Sequence, residues 1–222
     1  MLVCDLDDTL YKEIDFVTSS FPVIGAELSR RGLMEADEAV RLLSASPADM
    51  RRGIDRLMAR LDAEAPGCGV TPGDIVEIYR NHTPRILLSP GVERTLAALK
   101  ERGVRLGLIT DGRSGTQRAK IRALGLERFF DEENILISGE TGFDKLSVRP
   151  FEMMMERNPH QLHFTYIGDN PAKDFLWPNR LGWSTVMLCG GFDNLKPQYI
   201  ELPKDYTAMF RITSFADVRN FC

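Results

Sequence analysis

MLVCDLDDTL, residues 1–10, opens with an apolar run, Met1 to Cys4, that gives way at once to Asp5, Asp7 and Asp8. An apolar run ending in carboxylates reads as a buried strand whose carboxyl end meets solvent. Four more such runs follow: Val104 to Ile109, Asn134 to Ile137, Phe164 to Ile167 and Ser184 to Leu188. Between them lie helix-period segments, Val92 to Arg102, Ser114 to Leu124, Pro150 to Arg157 and Pro171 to Leu181, several opening on Pro or Ser and closing near Gly. Strand alternating with helix implies a parallel sheet, and nearly continuous apolar runs imply helices on both of its faces. The predicted fold class is α/β, with a Rossmann-like parallel sheet. Past a turn-rich stretch from Gly190 to Tyr206, Phe210 to Phe221 reads as a last short strand and a helical turn.

One gap breaks this rhythm. The first strand ends near Asp5, and the crossover helix into the second begins only near Gly91. Residues 14–86 are therefore expected to fold outside the sheet as a small all-helical cap domain, leaving 1–13 and 87–222 as the core. Helices are predicted over Val17 to Arg31, Glu35 to Ser44, Pro47 to Leu61 and Gly73 to Asn81. Breaks fall at Gly32, Ser46-Pro47 and Pro66 to Gly69.

Lys plus Arg number 28 against 32 Asp plus Glu, a net charge of −4 without the basic excess that binding a phosphate backbone normally needs. A nucleic-acid partner is not expected. No apolar stretch approaches membrane-spanning length, and Asp5, Asp7 and Asp8 interrupt any signal-peptide core, so a cytoplasmic chain with no membrane partner is expected. Cys4, Cys68, Cys189 and Cys222 show no metal or redox spacing and read as reduced thiols. The glycosylation pattern Asn81-His82-Thr83 is then silent. Oligomeric state is not legible.

In an open parallel sheet the functional crevice lies at the carboxyl ends of the strands. The first strand runs into Asp5 and Asp7, the second into Thr110-Asp111-Gly112, and the fourth into Gly168-Asp169, with Asp174 five residues on; Lys145 precedes the helix after the third. Asp5, Asp7, Asp169 and Asp174 bring four negative charges, which Lys145 reduces to three and a divalent cation to one. Clustered carboxylates otherwise suffer raised pKa values, and hard oxygen donors favour Mg2+ over zinc. DLDDTL alone is also a plain strand end with an Asp or Thr cap. A calcium loop would need Gly where Leu10 stands.

Taken together these residues resemble the haloacid dehalogenase superfamily. Its DxDxT motif matches Asp5, Asp7 and Thr9, its strand-ending Thr matches Thr110, its Lys matches Lys145, and GDxxxxD matches Gly168, Asp169 and Asp174. The helical insertion resembles the C1 cap of subfamily I. Leu146 stands where relatives often have Pro, and Cys4 where Phe is common. The resemblance implies a magnesium-dependent phosphatase acting on a small phosphorylated metabolite through an aspartyl-phosphate, with the cap closing to exclude water and select substrate. Asp5 would be the nucleophile and Asp7 the general acid and base, its pKa raised by its acidic neighbours. The Asp5 side chain, the Asp7 carbonyl and Asp169 would hold the metal, with Asp174 ordering them. Thr110, the amides of Asp111 and Gly112, and Lys145 would hold the transferring oxygens.

A phosphomutase shares this machinery. A phosphoacceptor or binding protein is a further alternative, although receivers carry no such cap and place their Asp on a middle strand. Dehalogenation is disfavoured because haloacid dehalogenases lack the residue matching Asp7. Arg80, His82 and Arg113 are weaker candidates for substrate contact. Met153 to Met155, Trp177 and Trp183 read as packing residues, and Asn170-Pro171 as a helix cap.

Overall fold

A computed structural model describes residues 1–190 and 194–221. Cys222 and positions 191–193 of the turn-rich stretch lie outside the described residues. The chain divides into two compact units, Met1–Lys12 with Leu87–Cys222, and Glu13–Ile86.

The first unit carries a six-stranded, all-parallel sheet: β1 (Leu2–Cys4), β2 (Leu106–Thr110), β3 (Ile135–Ile137), β4 (Thr165–Gly168), β5 (Ser184–Leu188) and β6 (Phe210–Ile212), in the order β3-β2-β1-β4-β5-β6. From β1 the sheet grows first through β2 and β3, then reverses to grow through β4, β5 and β6. The switch point therefore falls at β1 and β4, where a parallel sheet opens a crevice beyond its carboxyl ends. The pairing Leu2↔Leu106 and Leu2↔Thr165 sets β1 in register with both neighbours, and Cys4↔Ile167 brings Asp5 to the sheet edge opposite Gly168, one residue before Asp169.

Every residue of β1, β2, β3 and β4 is buried, as the continuous apolar runs required. One core cluster gathers Val3, Ile109, Leu136, Tyr166 and Met187 against Phe151 and Met154 of the helix Arg149–Arg157 and against Trp183. Met154 and Trp183 are buried there, and Met153 and Trp177 pack beside them; Met155 of the same run is partly exposed.

The helix expected over Pro171 to Leu181 forms only at Leu176–Arg180. Asn170 Oδ1 accepts the Ala172 N–H at 3.1 Å and the Asn170 carbonyl accepts from Lys173 and Asp174, so the first turn is spent folding Asp174 back toward β4. Asn170 caps that turn rather than a helix. A Cβ at Gly168 would lie 2.4 Å from Asp174 Oδ2, which is why the strand ends on Gly.

The second unit is helical throughout: α1 (Glu13–Ser19), α2 (Phe21–Arg30), α3 (Ala36–Ser44), α4 (Met50–Glu64) and α5 (Pro72–Asn81). The single helix expected over Val17 to Arg31 is thus two, because Pro22 has no N–H to continue the ladder, and the buried Ser20 hydroxyl donates to the Val17 carbonyl at the break. Helix α4 begins at Met50 rather than Pro47, where Asp49 accepts the Arg52 N–H at 3.0 Å. Gly25 lets α2 and α3 approach closely, since a Cβ there would lie 2.6 Å from the Ala36 carbonyl oxygen.

Among the described residues no helix is long and apolar enough to cross a membrane. Cys4, Cys68 and Cys189 form no disulfide.

Candidate active site

The ladder runs one residue past β1, with the Asp5 N–H donating to the Ile167 carbonyl at 2.9 Å, and this fixes where the Asp5 side chain emerges. Asp5, Asp169 and Asp174 are all buried, and one oxygen of each lies within 4.8 Å of the others. Lys145 Nζ joins them, donating to Asp5 Oδ1 at 2.7 Å and to Asp174 Oδ1 at 2.6 Å. Asp174 Oδ2 accepts the Asn170 N–H at 2.8 Å, so both of its oxygens are engaged. Three carboxylates thus share one ammonium in a site closed to water. Burial, and then the neighbouring carboxylates, push Asp5 up to about 8 and Asp169 up to about 9. Burial alone would lower Lys145, but Asp174 and Asp5 overcome it and hold the ammonium well above its ordinary value.

Asp7 is placed differently, and here the expectation of a raised pKa is corrected. Lys120 Nζ donates to both of its oxygens, at 2.8 and 3.0 Å, Gln117 Nε2 donates to Oδ2 at 3.0 Å, and the Tyr11 hydroxyl donates to Oδ1. Burial pushes Asp7 up, but the Lys120 charge and these hydrogen bonds outweigh it and leave the carboxyl below its ordinary range. The acidic neighbours that drive Asp5 upward are not what governs Asp7.

Gln117 and Lys120 lie on the helix Ser114–Ala123, and sequence reasoning missed both, along with Tyr11. A signal was present: they sit three apart on one face of a helix that starts directly behind the second strand end, so their side chains share a side. Gln117 also donates to Thr110 Oγ1 at 2.6 Å, which turns the buried hydroxyl's own proton elsewhere and ties Thr110 to Asp7.

Of the other expected phosphate contacts, Asp111 braces two loops: its carboxylate accepts from Lys173 Nζ at 2.9 Å and from the Lys145 N–H at 3.0 Å. The Gly112 N–H donates to Ser138 Oγ at 2.9 Å. In the second unit His82 is buried, its Nε2 2.7 Å from Ser19 Oγ and its Nδ1 2.6 Å from the Tyr79 carbonyl, and Arg80 pairs with Glu77. Arg113 is exposed.

An all-oxygen, buried, negatively charged trio is the donor set a hard divalent cation requires, so Asp5, Asp169 and Asp174 fit a metal ion. The Asp7 side chain is not among them.

A model of the haloacid dehalogenase-like hydrolases matches residues 1–176. Over 224 aligned residues, 98% of this chain and 94% of the relative, the chain is 29% identical to a glyceraldehyde 3-phosphate phosphatase of Methanocaldococcus jannaschii. It is 30% identical to a phosphoserine phosphatase of Thermus thermophilus over 68% of this chain and 59% of the relative. Among solved structures, the HAD-hydrolase YfnB of Bacillus subtilis superposes with a TM-score of 0.65 over 99% of this chain and 96% of its own, at 18% identity, a likeness of fold.

Proposed function

The chain belongs to the haloacid dehalogenase-like hydrolases, and from that premise we propose a magnesium-dependent phosphatase that hydrolyses a small phosphorylated metabolite through an aspartyl-phosphate on Asp5. It is a phosphoric monoester hydrolase. The observation that carries the mechanism is the division of labour between two carboxylates two residues apart: Asp5 faces the cation-binding cluster and Lys145, while Asp7 is held aside by Lys120, Gln117 and Tyr11.

Asp5 attacks phosphorus, a P–O(Asp) bond forms, and the bond to the leaving oxygen breaks. Asp7 delivers the proton that the leaving oxygen needs, then takes one from the water that attacks the acyl phosphate, releasing inorganic phosphate and restoring the Asp5 carboxylate and the protonated Asp7. As the structure stands, Lys120 keeps Asp7 ionised, which suits the second half. A substrate dianion brings negative charge that raises Asp7 toward the protonated form the first half needs. Lys145 and the Thr110 hydroxyl stabilise charge on the transferring oxygens. Asp5 and Asp169, with Asp174 orienting them, would hold magnesium, which when bound would supply charge neutralisation at the phosphoryl group.

The relatives' named substrates, glyceraldehyde 3-phosphate and phosphoserine, are three-carbon phosphomonoesters, and a substrate of that size is proposed here, selected by the helical unit. The test is phosphate release from an aryl phosphate and from a panel of sugar phosphates, nucleotides and phosphorylated acids, with and without excess EDTA. Activity should require magnesium and favour the three-carbon esters. Undiminished turnover after dialysis against chelator would sink the metal assignment.

A further inference from the structure

Of the three clustered carboxylates, Lys145 hydrogen-bonds Asp5 and Asp174 but not Asp169. Among the described residues its side chain accepts one hydrogen bond, from Asn194 Nδ2 to Oδ2 at 3.0 Å. Asn194 comes from the segment after β5, and its own amide is oriented: Lys12 Nζ donates to Asn194 Oδ1 at 2.6 Å. With the ammonium on the carbonyl side, the amide presents its NH2 to Asp169. A flipped amide would set oxygen against carboxylate and NH2 against ammonium, two repulsions at once.

The same segment is anchored twice more. The Leu195 N–H donates to Asp8 Oδ2 at 2.8 Å, where Asp8 takes a left-handed φ of 55°. Gln198 is buried between exposed neighbours, Pro197 and Tyr199, and all of its amide is used on backbone. Its Nε2 donates to the Asp169 and Leu188 carbonyls, each at 2.9 Å, and its Oε1 accepts the Gly190 N–H at 2.9 Å. Asp169 is therefore held at its carboxylate by Asn194 and at its backbone by Gln198, two positions in a stretch whose sequence signals only turns.

We infer that residues 194–198 are a positioning clip for Asp169, and that the relay Lys12 to Asn194 to Asp169 sets how readily this carboxylate takes a cation. The inference rests on the metal reading above. An N–H donated to one carboxylate oxygen fixes the rotamer, so less ordering remains to be done when a cation arrives. Partners of this outer kind change metal affinity by about 10- to 100-fold when removed.

The test is magnesium binding to the full chain by calorimetry, without substrate, beside the melting temperature of the metal-free protein. Asn194→Leu keeps the side chain's bulk and removes the donor; it should weaken magnesium by about 10-fold or more while the metal-free melting temperature stays near wild type. Lys12→Met should weaken binding as well, and the double variant should be no worse than Asn194→Leu alone, because both act through one amide. Wild-type affinity in Asn194→Leu overturns the clip, additive losses overturn the relay, and a loss of melting temperature matching the loss of affinity marks a merely structural role and overturns both. Should Asn194→Leu fail to fold, Lys12→Met leaves the amide in place and carries the test, unchanged affinity being the refutation. A wild-type chain that binds no magnesium defeats the metal reading itself, which separates the two failures.

Discussion

Asp5 and Asp7 leave the same strand two residues apart, both largely withdrawn from water, and their protons are governed in opposite directions. Asp5 enters a region of three carboxylates and one ammonium, Lys145, and is pushed up to about 8. Asp7 meets the Lys120 ammonium at both of its oxygens, with Gln117 and Tyr11 as further donors, and is lowered. Burial opposes ionisation in both. What differs is the balance at each carboxyl: the Lys120 charge and three donors outweigh burial at Asp7, whereas burial and the neighbouring carboxylates outweigh Lys145 at Asp5. The first region gathers three carboxylates around Lys145, a donor set that fits a cation; the second pairs the Asp7 carboxylate with Lys120.

The comparison breaks most severely at the proposed nucleophile, Asp5. Asp5→Asn keeps size and most hydrogen bonding but removes the attacking oxygen, and phosphate release from an aryl phosphate should fall to the level of the buffer control. Retained turnover would move the nucleophile elsewhere. Asp7→Asn should cost about 10² to 10⁴ in rate with an alkyl phosphate, because only proton movement is lost. A leaving group that departs without protonation should recover part of that loss, so the ratio of aryl to alkyl turnover is the quantity to measure. Equal losses for both would mean Asp7 has some other task.

Lys120→Met sharpens the contrast by a smaller effect. Lys120 lowers Asp7, so its removal should move the limb of the pH–rate profile that belongs to Asp7 upward, and an unmoved limb would show that the pairing is not what sets it. Stability should fall by about 1–3 kcal/mol in urea titration, since a carboxylate loses its charged partner in a nearly closed site.

Smallest is an effect on melting temperature. Asp5 and Asp169 have folded-state values above their unfolded ones, so their contribution to the stability of the metal-free chain is full below the ordinary carboxylate value of 3.8 and is lost as pH rises through about 8 and about 9. On the proposed metal reading a cation takes the deprotonated cluster of the folded chain, so the rise in melting temperature on adding magnesium should be larger at about pH 8 than at about pH 6. A rise independent of pH would contradict the shared-proton picture.

The sheet and one of the two regions were legible in the sequence. Apolar runs that end in Asp5, Thr110 and Asp169 announce strand ends, and strand ends in a parallel sheet converge whatever their separation in the chain. The partners of Asp7 were hidden because Gln117 and Lys120 read as the polar face of a helix, and only burial shows that this face is turned inward. The hold on Asp169 was hidden for another reason: Asn194 and Gln198 lie in irregular backbone, where no period predicts which side chain turns inward. Pro171 misled by looking like a helix start, when the turn it opens serves to fold Asp174 back against Gly168.

The division between Asp5 and Asp7 meets its most direct test in the covalent intermediate. The Asp7→Asn chain, mixed with an aryl phosphate and magnesium and quenched in acid during turnover, should be digested and read by mass spectrometry. On the proposed roles, Asp7→Asn leaves the nucleophile intact and slows the water attack that needs a base, so one phosphoryl group should accumulate on the peptide containing Asp5, and none should form in Asp5→Asn. A phosphoryl group on any other residue, or its absence from Asp5 while turnover continues, would contradict the account.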